Sequence, residues 1–116
     1  LQQARQAMSP TTPATYKRLW CLREAIYLTR TNKMREGAAM LGKLCQESER
    51  EGAYDDNLAN AYENVAAVQV CFGQPEVAVI YQRKAVALRC KLGGADDHDT
   101  VRSIAVLRKL EGLAHH

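Results

Sequence analysis

The chain has 116 residues, enough for one domain around one modest core. At 47% hydrophobic and 25% charged it has an ordinary globular composition, which argues against a disordered polymer, and no apolar run reaches the roughly 18 residues of a membrane span. The formal charge of +3 comes from 16 basic and 13 acidic residues, with the basic ones dispersed over several segments. Nucleic acid is therefore not favoured as a partner, and membrane insertion is not expected.

Leu1, Ala4, Arg5 and Met8 share one helical face, and Ser9-Pro10-Thr11-Thr12 interrupts it. Residues 1–12 are thus expected to be the end of a preceding helix plus a linker, without the apolar core of a signal peptide. A helix should run from Pro13 to about Arg30, with Thr12 as N-cap and Pro13 in the first turn. Its apolar face holds Leu19, Leu22 and Ala25 or Ile26, with Tyr16, Trp20 and Tyr27 on adjoining faces. Asn32 is expected to end it in a left-handed or capping conformation.

A second helix, Met34 to about Arg50, carries Ala38, Leu41, Leu44 and Cys45. Gly37 lies inside it at a cost of about 1 kcal/mol relative to alanine, tolerable where another helix passes close to its backbone. After the polar stretch at 51–57 come two further amphipathic helices, one carrying Tyr62, Val65 and Ala66, the other Ala78, Tyr81, Ala85 and Leu88. Between them lies Phe72-Gly73-Gln74-Pro75, where Gly73 supplies a positive φ and Pro75 opens the next helix. A loop at 92–100 leads to a last helix, Thr100 to about Leu113, with Val101, Ile104, Leu107 and Leu110, and with Asp99 as its cap. Residues 114–116 read as a tail or tag remnant, since the chain starts at Leu1 and ends in His115-His116, as an excised fragment does.

Shifted by 42 residues, Gly52 falls on Gly94, Asp55 on Asp97, Asn57 on Asp99, Tyr62 on Ile104 and Val65 on Leu107. At 41 residues Gly37 falls on Ala78 and Leu44 on Ala85. Helical units repeating on this period cover their apolar faces by stacking. The order Tyr62, Val65, Ala66, Gly73, Ala78, Ala85, with Tyr81-Gln82-Arg83-Lys84-Ala85 and the loop Leu92-Gly93-Gly94-Ala95-Asp96-Asp97-His98-Asp99-Thr100, resembles the tetratricopeptide repeat family, in its long-repeat variant found in kinesin light chains. Departures are Gln69 in place of the family's tyrosine, the aromatic at Tyr81 rather than at Gln82, no proline after His98, and no glycine turn in the earlier hairpin. The resemblance implies an all-α, right-handed stack of antiparallel helical hairpins over residues 13–113, about two and a half repeats.

It also implies a binding groove lined by the first helix of each pair. Off the core stripe, these helices offer Asn60, Glu63, Asn64, Ala67 and Val70 in the centre, Arg102, Ala105 and Lys109 at the end, and Leu19, Leu22, Ile26 and Arg30 at the start. Asn60 and Asn64 share a face at one-turn spacing, and their amides can donate to and accept from a peptide backbone. Asn64 falls where the resemblance places a backbone-binding asparagine. A peptide across this face would meet an apolar pocket, amides and then positive charge, so a segment with acidic residues is the expected ligand. Arg83, Lys84, Arg89 and Lys91 read as a solvated outer wall.

For chemistry the inventory is thin. His98 between Asp97 and Asp99 has no third ligand fixed by spacing and reads as a solvated loop residue, and no glycine pattern for phosphate is present. Cys21, Cys45, Cys71 and Cys90 form no close pair and read as small buried side chains of a cytoplasmic protein. The expected function is non-enzymatic and cofactor-free, with no metal. It is a protein-interaction or scaffold module holding another protein or peptide, with self-association through uncovered array ends. The alternative is an assembly module that uses its ends and outer wall and leaves the groove empty.

Overall fold

The computed structural model describes residues 12–115, and the expected helix tail and interruption at residues 1–11 lie outside them. The described residues form five helices: α1 (Thr12–Arg30), α2 (Met34–Glu51), α3 (Asp56–Cys71), α4 (Pro75–Gly93) and α5 (His98–Ala114). Each packs against the next, and α1 also packs against α3. This sequential all-α packing is consistent with a helical-repeat fold.

The turns explain where the helices stop. Gly52 and Gly94 follow α2 and α4 with φ of 72° and 88°, and Gly73 follows α3 at 75°. The Asp55 carboxylate accepts from the Leu58 amide at 3.0 Å, capping α3. Asp97 does the same for α5, accepting from the Asp99 amide at 3.1 Å. The sequence expectation of Asp99 as cap is thus corrected by two residues, and His98 is the first residue of α5 rather than part of a loop. Of the two conformations expected of Asn32 the left-handed one is excluded, because no non-glycine residue among those described has a positive φ.

The offset of 42 residues now has a physical content. Gly52 and Gly94 end helices, Asp55 and Asp97 start them, and Leu58 and Thr100, Ala61 and Ser103, and Val68 and Leu110 are all buried. The main core joins Leu22 and Ala25 of α1, Leu41 and Leu44 of α2, and Leu58 and Val65 of α3. A second cluster joins Ala66, Ala78, Val79 and Leu110 across α3, α4 and α5.

Gly37 is buried at the crossing of α1 and α2, where a Cβ would lie 2.6 Å from the Ala25 carbonyl oxygen. The mid-helix glycine is there because two backbones meet. The Thr29 hydroxyl beside it donates to the Ile26 carbonyl at 2.7 Å, which lets a polar side chain lie in this crossing.

Candidate functional site

A cleft of about 650 Å³ opens between α3 and α5. Its α3 wall is Asp56, Asn57, Asn60, Glu63 and Ala67, its α5 wall is Asp99, Arg102 and Val106, and Gln82 and Arg89 of α4 lie between them. The spacing of Asn60, Glu63 and Ala67, three and then four residues, is one face of a helix.

Arg89 organises the charges. Its side chain is only 12% exposed, and its guanidinium donates to Glu63 at 2.8 Å and to Asp56 at 3.4 Å. Burial alone lowers the affinity of this group for its proton, but the hydrogen bond to Glu63 and the charges of Glu63, Asp99 and Asp56 outweigh it and hold Arg89 above its ordinary range. Its Nε is buried and unpartnered. Across the cleft Arg102 donates to Asp99 at 2.8 Å, one helical turn away.

Gln82 is 1% exposed. Its Nε2 donates to the Ser103 carbonyl and to Ser103 Oγ, both at 2.9 Å. Because a carbonyl can only accept, this pairing fixes which end of the amide faces α5. The other end, Oε1, is buried with no donor. Thr100 Oγ1, on the same helix as Ser103, is also buried without a partner. A native core contains few such groups, and each costs about 1–3 kcal/mol when nothing completes it.

Of the residues expected to line a groove, Asn60, Glu63, Ala67 and Arg102 come together here. Asn64 does not line the cleft, and its amide nitrogen is engaged within α3, donating to the Asn60 carbonyl at 2.8 Å and to Asn60 Oδ1 at 3.2 Å. Lys109 and Arg30 are exposed elsewhere. Leu22 is corrected: at 2% exposure it is a core residue, with Ile26 half-buried against the same core. The α1 stripe assigned to a ligand is the stripe that meets α2 and α3, while Trp20 and Tyr27 are 68% and 67% exposed on the other side. Arg89 is corrected as well, from solvated outer wall to the cation of the cleft.

Sequence reasoning missed Gln82, although its signal was present. At the 41-residue offset Gln82 occupies the place of Leu41, a residue with 0% exposure, so a buried amide replaces a core leucine. On the far side of α3, the Tyr62 hydroxyl donates to Glu49, and the Lys84 ammonium lies 5.6 Å and 5.5 Å from the Tyr62 and Tyr81 ring centres. There burial and the neighbouring Glu49 push the Cys45 thiol up to about 12, with Lys84 opposing. Burial and the bond to Glu49 likewise raise the Tyr62 phenol. A raised thiol is protonated and a poor nucleophile. Among the described residues no three His, Cys, Asp or Glu side chains are grouped so as to hold a metal ion, and no helix is long and apolar enough to cross a membrane.

Comparisons with models of protein families, with curated proteins and with solved structures find no match to this chain.

Proposed function

We propose that the chain is a non-enzymatic protein-interaction module that captures a segment of another polypeptide in the cleft between α3 and α5. The observation that carries this reading is the cleft itself. Its volume of about 650 Å³ lies within the range of roughly 300–1,000 Å³ typical of ligand sites. Its walls come from two helices, α3 and α5, and buried hydrogen-bonding atoms at Gln82 and Arg89 lack partners among the described residues.

In this reading α1 with α2, and α3 with α4, are antiparallel hairpins of a right-handed tetratricopeptide-like stack. The shared caps and buried positions at the 42-residue offset support it. The module needs no cofactor and performs no covalent chemistry, and its free cysteines suit a cytoplasmic setting.

The test is selection of displayed random peptides on the intact chain, followed by mapping of the bound peptide through backbone amide shifts. Asn60 and Ala67 are exposed, so Asn60→Arg and Ala67→Arg fill the cleft without touching the core. Loss of peptide binding with unchanged helicity is expected. Binding that ignores both substitutions refutes cleft capture.

A second reading, architectural assembly, draws on the exposed Tyr16, Trp20 and Tyr27 of α1, which are spaced along one helix and uncovered among the described residues. In that case selected partners map to α1, and the cleft substitutions change nothing.

A further inference from the structure

From the charge and hydrogen-bonding pattern of the cleft we infer that the segment it takes presents a cationic side chain, arginine above all, rather than an acidic one. This rests on the reading of the cleft as a polypeptide-capture site and specifies its chemistry. Three carboxylates, Asp56, Glu63 and Asp99, line the cleft against two guanidiniums, Arg89 and Arg102. Both guanidiniums already have carboxylate partners. The open charged groups are Asp56, Asp99 and Arg102, whose side chains are 84%, 53% and 66% exposed, while Arg89 lies beneath at 12%. The accessible surplus is negative.

The floor asks for a donor independently of the carboxylates. Gln82 Oε1 is a buried acceptor with no partner, and the amide cannot turn over to supply one because its nitrogen is held by the Ser103 carbonyl. Its position in the repeat belongs to a leucine, so packing alone does not call for an amide. An arginine side chain carries five N–H donors and no acceptor, enough to serve Gln82 Oε1 and a wall carboxylate together. The acidic segment expected from Arg102 and Lys109 meets one exposed cation here, Arg102, against the two exposed carboxylates Asp56 and Asp99, and Lys109 is not in the cleft.

The experiment is an amide-shift titration of the intact chain with terminally blocked arginine, glutamine and glutamate at matched millimolar concentrations. Blocked arginine should shift Asn60, Ala67, Gln82 and Val106 and bind about tenfold more tightly than blocked glutamine, the ratio that a charge-assisted bond gives over a neutral one. Its binding should weaken severalfold in Asp56→Asn/Asp99→Asn, a pair of exposed positions that leaves the core alone, and should weaken with added salt. Gln82→Met removes the acceptor at nearly constant volume and should also weaken it, with the melting temperature reporting any loss of fold.

Glutamate binding the cleft as well as arginine does, or arginine leaving the four amides unmoved, overturns the inference. Peptide selection keeps the two proposals apart. Acidic or neutral peptides that map to the cleft sink only the cationic preference, whereas peptides that never map there sink cleft capture as well.

Discussion

Replacing Gly37 with alanine tests the packing on which the stack depends. The new Cβ would stand 2.6 Å from both the Ala25 carbonyl oxygen and Thr29 Cγ2, and 2.8 Å from the Thr29 nitrogen. Two of these atoms are backbone and cannot rotate away, so α1 and α2 must part by about 0.8 Å to reach ordinary contact. Overpacking of this kind costs roughly 1–3 kcal/mol, while alanine returns about 1 kcal/mol in helix propensity. Backbone contact puts the cost at the upper end, leaving a net loss of about 1–2 kcal/mol and a melting temperature lower by roughly 5–15 °C. Gly42→Ala is the matched control in the same helix. Nothing lies within 4 Å of its Cβ, so it should gain about 0.5–1 kcal/mol and melt a few degrees higher. Thermal unfolding followed by far-UV circular dichroism reads both. Adding Thr29→Ala to Gly37→Ala removes one of the three obstructing atoms and should recover part of the loss. A Gly37→Ala chain that melts at or above the unchanged chain would refute the close crossing.

Other consequences follow from single residues. Native Cys45 should resist iodoacetamide near pH 8 while exposed Cys71 is alkylated, as peptide mass mapping will show. Because folding raises the Cys45 thiol from 9.0 to about 12, the stability it contributes is fully present below pH 9 and is lost as the pH climbs towards 12. Tyr62, raised with it, acts in the same direction, so urea unfolding should show a decline from pH 9 upwards that Cys45→Ala flattens. Arg89→Lys replaces a fork that reaches two carboxylates by a point charge, and should cost about 1–2 kcal/mol in urea unfolding; an unchanged midpoint would deny the bridge its role. Trp20, the only tryptophan and 68% exposed, should emit at nearly the same wavelength in folded and urea-unfolded chains. A strongly blue-shifted native spectrum would mean that α1 is covered.

The helices and most of their ends were legible from the sequence because punctuation is local, although the last helix starts two residues earlier than expected. Gly73 with Pro75, the Gly52 and Gly94 pair, and the acidic residues after them act through their own backbone or that of the next turn. Gly37 was legible for a related reason, since a mid-helix glycine has few structural justifications besides a close neighbour. Which stripe of a helix meets which neighbour was less legible. Helix α1 is apolar on two sides, with Leu22 and Ala25 on one and Trp20 and Tyr27 on the other, and periodicity cannot choose between them. Four of the ten residues of the cleft were visible as Asn60, Glu63, Ala67 and Arg102. Its floor was hidden because Gln82 and Arg89 belong to a helix read as an outer wall, and only alignment of Gln82 with Leu41 marks it as buried.

The same alignment explains why a cleft exists at all. At the 41-residue offset Leu22 of α1 corresponds to Glu63 of α3. Leu22 joins a core shared with α2 and α3, where burying such a side chain is worth about 1.5–3 kcal/mol, and α1 packs on α3. Glu63, one repeat later, cannot close α3 onto α5 in that way, because a buried carboxylate without a cation costs several kcal/mol. Arg89 enters from α4 to meet it at 2.8 Å, so the position that closes the earlier repeat is taken here by an ion pair. Glu63→Leu together with Arg89→Leu removes both charges and puts at position 63 the leucine that the earlier repeat has as Leu22. Exchanging a buried ion pair for apolar side chains is often neutral or stabilising by about 1–4 kcal/mol, so the double variant should unfold at an equal or higher urea concentration and lose cleft ligands. Arg89→Leu strands Glu63 and should be less stable than either parent, whereas Glu63→Leu leaves Arg89 its longer contact with Asp56 and should lose less. A double variant less stable than both singles would mean that the ion pair is needed to hold α3 against α4, and that the cleft has another cause.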